Sequence, residues 1–88
     1  MWKIIFDKKA EESLKKIERT IEKKIIRYME VKVSVLQNPR LIGKPLTGNK
    51  KGLWRYRVGD YRVVCDIKDS EIMILVVDAD HRKNIYDK

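Results

Sequence analysis

The chain has 88 residues, 43% hydrophobic and 39% charged, with 21 Lys+Arg against 13 Asp+Glu and a formal net charge of +8 at pH 7. This length predicts one small domain spanning residues 1–88, and apolar residues that recur with clear periods exclude wholesale disorder. So large a positive excess on so small a surface favours a polyanionic partner: nucleic acid, an anionic membrane or an acidic protein.

The single cysteine, Cys65, excludes an internal disulfide and is consistent with a reducing cytosol. No apolar run approaches transmembrane length, and the chain opens directly on a strand pattern with no signal-like segment. The expectation is a soluble, cytoplasmic protein with no membrane partner.

In chain order, Trp2 to Phe6 is rich in aromatic and β-branched residues and predicts a short strand. Asp7 then offers a side-chain oxygen to the first free amides of a helix. Ala10, Leu14 and Ile17 recur at helical spacing and give that helix one narrow apolar stripe. Thr20 predicts a second N-cap, followed by Glu22 in the first turn. Ile21, Ile25, Tyr28 or Met29, Lys32 or Val33, and Leu36 mark a longer helix that stops before Asn38-Pro39, because proline disfavours helical geometry in the residue before it. The two helices, joined near Glu18–Thr20, predict an antiparallel helix hairpin.

Arg40 to Gly52 reads as a loop with some order around Leu46. The remainder predicts a meander: Leu53 to Val58, a Gly59-Asp60 turn, Tyr61 to Ile67, a second turn over 68–71, and a continuous apolar strand from Ile72 to Val77. Asp78 to Lys88 reads as a polar tail. The fold class is therefore α+β: an N-terminal strand, an antiparallel helix hairpin, then a three-stranded antiparallel meander.

The Gly59-Asp60 turn sets a register in which Val58 faces Tyr61, Arg57 faces Arg62, Tyr56 faces Val63 and Arg55 faces Val64. Strand side chains alternate between faces. Trp54, Tyr56, Val58, Tyr61, Val63, Cys65 and Ile67 then point toward the helices, and Arg55, Arg57 and Arg62 point away. Like charges directly opposite one another destabilise a sheet, so folding alone does not call for this arrangement. An anion lying across it would relieve the repulsion. The plainer reading makes these ordinary solvated arginines, splayed apart or paired with Asp60 or Asp66.

Guanidinium suits phosphate because its planar fork makes two parallel charge-assisted hydrogen bonds and stays ionised at any relevant pH. Several such groups around one phosphodiester would also stabilise the charge that builds up during attack on phosphorus. RNA carries its own nucleophile, the 2′-OH, so cleavage to a 2′,3′-cyclic phosphate and a 5′-OH needs no metal. His81 has Asp78 and Asp80 beside it but no second His or Cys ligand, so neither a metal site nor a cofactor is expected. His81 has an unperturbed pKa near neutrality and can be read as a general acid or base, or as a residue of a polar tail. Tyr86 can be read as a base-stacking aromatic or as an anchor for the carboxy terminus.

Three tracts carry a family resemblance: Pro45-Leu46-Thr47-Gly48, then Leu53-Trp54-Arg55-Tyr56-Arg57-Val58-Gly59-Asp60-Tyr61-Arg62-Val63-Val64, and finally His81-Arg82-Lys83-Asn84-Ile85-Tyr86. With the predicted element order, they resemble the RelE branch of the RelE/ParE toxins, which have a microbial RNase-type fold. The resemblance implies a type II toxin that enters the ribosomal A site, cleaves messenger RNA there, and is neutralised by a cognate acidic antitoxin. It implies that Arg55 and Arg57 are the basic pair of the first meander strand and that Arg62 holds the scissile phosphate. Arg82 becomes the general acid, and Tyr86 stacks on the substrate. Lys44, Lys50 and Lys51, with Arg55 and Arg57, become contacts to RNA and to 16S rRNA of the ribosome.

Two departures from the family pattern matter. The basic pair is arginine where lysine is familiar, and arginine is a poor base at a pKa above about 12, leaving His81 as the candidate base. Asp80 stands where a glycine is often found and adds negative charge beside the site. Two other readings of the same fold are a ParE-like toxin that poisons DNA gyrase without cutting RNA, and an inactive RNA- or antitoxin-binding module.

Overall fold

Strict alternation in the second half of the chain builds a sheet, and the apolar stripes of the first half cover one face of it. The computed structural model describes residues 1–81. The strands are β1 (Lys3–Phe6), β2 (Lys44–Pro45), β3 (Trp54–Val58), β4 (Tyr61–Lys68) and β5 (Met73–His81), and the helices are α1 (Lys8–Lys15) and α2 (Arg19–Arg27). They form one five-stranded sheet in the order β1-β5-β4-β3-β2. β1 lies parallel to β5, and the other neighbours are antiparallel.

The expected α+β order of strand, helix pair and meander is the observed one, and two edge strands complete it. β1 closes the β5 side of the meander. Lys44-Pro45, inside the stretch read as a loop, pairs with Trp54 and Arg55 on the other side. Proline is tolerated there because an edge strand needs no donor on its outer side.

The helix layer starts as the sequence indicates. Asp7 caps α1, its carboxylate accepting from the Ala10 amide at 2.8 Å. Ala10 and Leu14 are buried. Thr20, however, is not a cap. α2 begins at Arg19, and Glu18 takes the N-cap position in extended geometry without any side-chain cap bond. Thr20 falls within the first turn, where its amide is one of the free donors and its hydroxyl is exposed to water.

The second helix widens where the sequence left two choices. Tyr28–Val33 is π-helical, and the Ser34 amide donates to the Met29 carbonyl five residues earlier at 3.0 Å. Ile25, Met29 and Val33, four residues apart, are all fully buried. In an α-helix a spacing of four overshoots a full turn by about 40° per step. The wider π turn brings Val33 back under Met29, and Tyr28 moves to the flank, half-buried.

The core comprises these residues with Tyr56, Val58, Val63, Cys65, Ile67, Ile74, Val76 and Ala79. Burial pushes the Cys65 thiol pKa far up, so it stays a protonated packing group. Two side-chain bonds pin the 39–42 segment to β3. The Tyr56 hydroxyl donates to the Pro39 carbonyl at 2.6 Å, and Trp54 Nε1 to the Ile42 carbonyl at 2.8 Å. Arg40 forks onto Asp69 in the β4–β5 turn through Nη1–Oδ1 at 3.0 Å and Nη2–Oδ2 at 2.9 Å.

β5 differs most from expectation. It runs on to His81 instead of ending at Val77 in a polar tail. Val64 pairs with Asp78 and Cys65 with Val76, so Val77 is the extra residue of a bulge. The bulge resets the alternation and sends Ala79 into the core at 1% exposure, while backbone pairing with β4 carries Asp78 and Asp80 along. Ile67 pairs with Ile74. Ile72 instead occupies a left-handed turn position at φ 49°.

Two outcomes follow from these contacts. Asp7→Ala should lower unfolding stability by about 1 kcal/mol in a urea titration, whereas Thr20→Ala should cost a few tenths at most; equal losses would contradict the cap assignment. The Arg40 fork holds the Asp69 carboxyl below its usual pKa. Stability from a depressed carboxyl is present above the unfolded-state value and lost as pH falls through the folded one. Wild type should therefore exceed Arg40→Ala in stability at neutral pH, with the gap closing at acid pH below the ordinary aspartate range; a pH-independent gap would rule this out.

Candidate nucleic-acid interface

The predicted hairpin register is the observed one: Val58–Tyr61, Arg57–Arg62, Tyr56–Val63, Arg55–Val64. Pairing with β5 and β2 extends two of these pairs into rows across the sheet. One row reads Arg57, Arg62, Asp80, and the other Lys44, Arg55, Val64, Asp78. Between them lies the Tyr56–Val63–Ala79 row, whose side chains are all buried in the core.

The three arginines differ in setting. Arg57 is exposed and its Nε donates to the Gly59 carbonyl at 3.3 Å. Arg55 is half-buried, and Arg62 is only 3% exposed. Holding a guanidinium out of water is costly unless its charge is answered nearby. Asp66, one partner considered for these arginines, instead pairs with Lys68 at 3.1 Å. Asp80 is the acid placed directly across from Arg62, and its Oδ1 accepts from the His81 amide at 2.7 Å.

A cleft of about 400 Å³ is lined by Arg55, Arg57, Arg62, Lys44, Gly43 and Tyr28. Among the described residues, four cations and no carboxylate line it. It is large enough for a nucleotide-sized group, within the range of small-ligand sites of about 300–1,000 Å³. Its electrostatics favour an anion and repel a metal cation. Among the described residues, no three or more His, Cys, Asp or Glu come together as a metal-holding group.

Sequence reasoning missed Tyr28 and Gly43. Gly43 has φ +80°, and a Cβ there would stand 2.4 Å from the Arg55 carbonyl and 2.6 Å from Trp54 Nε1. Only glycine lets the chain pass this close to β3. A glycine two residues before Pro45 was the available signal. Tyr28 enters from the flank of the π-helical segment. Its ring stands 6.4 Å from that of Tyr56, and burial raises its phenol pKa, keeping the hydroxyl protonated. A helix-period reading cannot place Tyr28, because the π turn breaks the period.

The other predicted site residues that the structure describes lie outside the cleft lining. His81 ends β5 with its ring edge-on to Tyr61 at 5.4 Å and is not among the residues lining the cleft. Lys50 is half-buried in a short 3-10 turn and Lys51 is exposed beside it; neither lines the cleft. Arg82 and Tyr86 lie outside the described residues.

Comparison with known proteins gives this arrangement its class. The family described as the ParE toxin of type II toxin-antitoxin systems, parDE, matches residues 4–86. The chain belongs to that family, within the RelE/ParE toxin superfamily. It is 38% identical over 52 residues to Toxin RelE of Mycobacterium tuberculosis, a stretch covering 59% of this chain and 54% of that protein. The chain thus matches about half the length of that curated relative. The toxin-antitoxin complex RelBE2 of M. tuberculosis contains a chain that superposes with a TM-score of 0.83 at 26% identity, covering 92% of this chain and 91% of that one. The isolated RelE toxin of Escherichia coli gives 0.70 at 13% identity, covering 92% and 84%, and so shares the fold.

Gly43→Ala should cost about 1–3 kcal/mol in a urea titration through its left-handed φ and the clash with β3, and should lower affinity for a phosphate-bearing oligonucleotide in a binding titration. A stable variant with unchanged affinity would show that the close approach does not shape the cleft.

Proposed function

We infer that this toxin is a ribosome-dependent endoribonuclease that cuts messenger RNA in the A site without a metal. The observation that carries this reading is the cleft in which Arg55, Arg57 and Arg62 converge with Lys44 and no acid among the lining residues. Four fixed cations would grip a phosphodiester and stabilise the added charge of the five-coordinate phosphorane. In the step proposed, the ribose 2′-oxygen bonds to phosphorus, the bond from phosphorus to the 5′-oxygen breaks, and the 2′ proton passes to a base. The departing 5′-oxygen gains a proton, leaving a 2′,3′-cyclic phosphate and a 5′-OH.

Arg62 is the residue assigned to the scissile phosphate. Its burial fixes the fork, and the opposed Arg57 raises the local potential. Among the described residues no carboxylate or imidazole lines the cleft, so the arginines supply alignment and charge, and His81, at the end of β5 outside that lining, is assigned as the proton acceptor through a bridging water. Arg82 as general acid and Tyr86 as a stacking residue complete the assignment, which rests on the family resemblance for both. Lys50 and Lys51 belong to a surface that would meet ribosomal RNA.

The proposed partners are the ribosome and an acidic antitoxin. The arginine side of the sheet also carries Met73, Leu75 and Val77, all half-buried, so an amphipathic acidic segment would match both its charge and its apolar strip. The resemblance to a toxin solved in complex with its antitoxin supports this.

A second reading has its own support, because the matching family is described by the ParE toxin: inhibition of DNA gyrase without RNA cleavage. Primer extension on messenger RNA translated with the purified protein separates the two, since the nuclease leaves cuts in register with codons. Arg62→Ala should reduce cutting at least about 100-fold with the far-UV spectrum unchanged, and Arg62→Lys should not restore it, because lysine keeps the charge and loses the fork. Undiminished cutting by a folded Arg62→Ala protein refutes its role; absence of cuts by wild type, together with inhibited supercoiling, selects the gyrase reading.

A further inference from the structure

Next to the arginine cleft lies a second groove of about 400 Å³ that the nuclease assignment does not use. Its cations are Lys24, Arg27, Lys32 and Arg57, and its apolar wall is formed by Tyr28, Val31 and Val58. Tyr28 and Arg57 line both cavities, so the two adjoin. Again no carboxylate lines the groove among the described residues. Val31 is 59% exposed, an apolar side chain standing in water within a groove lined by four cations among the described residues.

The groove exists because of the π-helical segment. Tyr28, Val31 and Lys32 share one flank of it, opposite the buried Met29 and Val33. Tyr56 backs the Tyr28 ring at 6.4 Å, and Lys32 Nζ stands 6.0 Å from its centroid. The ring therefore has a neighbouring ring against it and one cation over it.

We propose that this groove is a second nucleotide subsite, in which an unstacked base of single-stranded RNA, adjacent to the nucleotide bearing the scissile phosphate, packs on Tyr28 and Val31. The phosphate of that neighbouring nucleotide is met by Lys24, Arg27 and Lys32. Single-stranded nucleic acid is recognised by this combination of an aromatic platform and a positively charged track. A duplex is a poor fit, because its bases are stacked inside and cannot reach a side-chain platform. An acidic peptide shares the charge but has no flat ring to use a buttressed tyrosine. Adjacency favours RNA further: Arg57 and Tyr28 face both cavities, so neighbouring nucleotides of one strand can occupy the two.

This proposal rests on the RNA-cutting reading and deepens it by making recognition extend beyond the cut site. The full chain is titrated with a fluorescein-labelled hexanucleotide carrying 2′-O-methyl groups, which cannot be cut, and with a 2′-O-methyl dinucleotide short enough for the first cleft alone. Tyr28→Ala and Val31→Glu should weaken hexanucleotide binding roughly tenfold, and Tyr28→Phe should bind as wild type does. Val31→Glu should leave dinucleotide binding unchanged. The exposure of Val31 guards against a folding defect as the cause, and thermal unfolding checks it.

Wild-type affinity of Val31→Glu and Tyr28→Ala for the hexanucleotide overturns the subsite, even if codon-register cutting persists. If the variants instead lose poly-L-glutamate binding while keeping RNA, the groove is a peptide site and the proposal is likewise overturned. A wild type that leaves no cuts in translated messenger RNA, yet shows the expected pattern with the hexanucleotide, defeats the nuclease reading and leaves the subsite standing as an RNA-binding feature.

Discussion

The fold and the candidate site both depend on the two-residue alternation of the β3–β4 hairpin about Gly59-Asp60. The glycine sits at φ +62°, a conformation it adopts without steric cost, and so fixes which residues oppose one another. One parity delivers Tyr56, Val58, Val63 and Cys65 to the core. The other delivers Arg55, Arg57 and Arg62 to the cleft. A slip by one residue would exchange these sets, burying cations among aliphatic groups and exposing the core. Apolar burial thus holds in place a cluster of like charges that would not assemble by itself.

The helix layer contributes more than a cover. Ile25, Met29 and Val33 demand a common buried row, and the π-helical segment meets that demand by changing helical pitch. The same change moves Tyr28 out of the core and against the arginine cleft. The 39–43 segment is handled comparably: bonds from Tyr56 to Pro39 and from Trp54 to Ile42 draw it onto β3, and Gly43 is the residue that can survive the approach. Core side chains thus set the positions of the residues that line the cleft, and Tyr28 both packs against the core and lines the cleft.

Membership of the ParE toxin family agrees with this division of labour. The RelBE2 toxin-antitoxin complex chain matches over nine-tenths of both lengths with a TM-score of 0.83 at 26% identity. At 13% identity the isolated E. coli RelE toxin retains the architecture. Such a frame is specified by alternation, turn chemistry and volume, all of which many sequences satisfy. The exposed positions of the opposite parity, Arg57 among them, can vary without disturbing the core.

Much of this was legible in local sequence. Asp7 as a cap, the hairpin register and the separation of arginines from core residues all follow from interactions within a few residues or from one turn, which short-range rules capture; the second helix ends at Val33, short of the expected Leu36. What failed or was missed depended on distant parts of the chain. Thr20 gave way to Glu18 because the helix junction, not capping preference, sets where α2 begins. β5 continued to His81 because β4 offered backbone partners and a bulge at Val77 restored the inward parity for Ala79. The burial of Arg62, the entry of Tyr28 and the need for glycine at 43 arise only when sheet, π-helical flank and 39–43 segment close on one another. Pattern alone determined which side chains face together; the packing of remote segments decided which of them enclose a cavity.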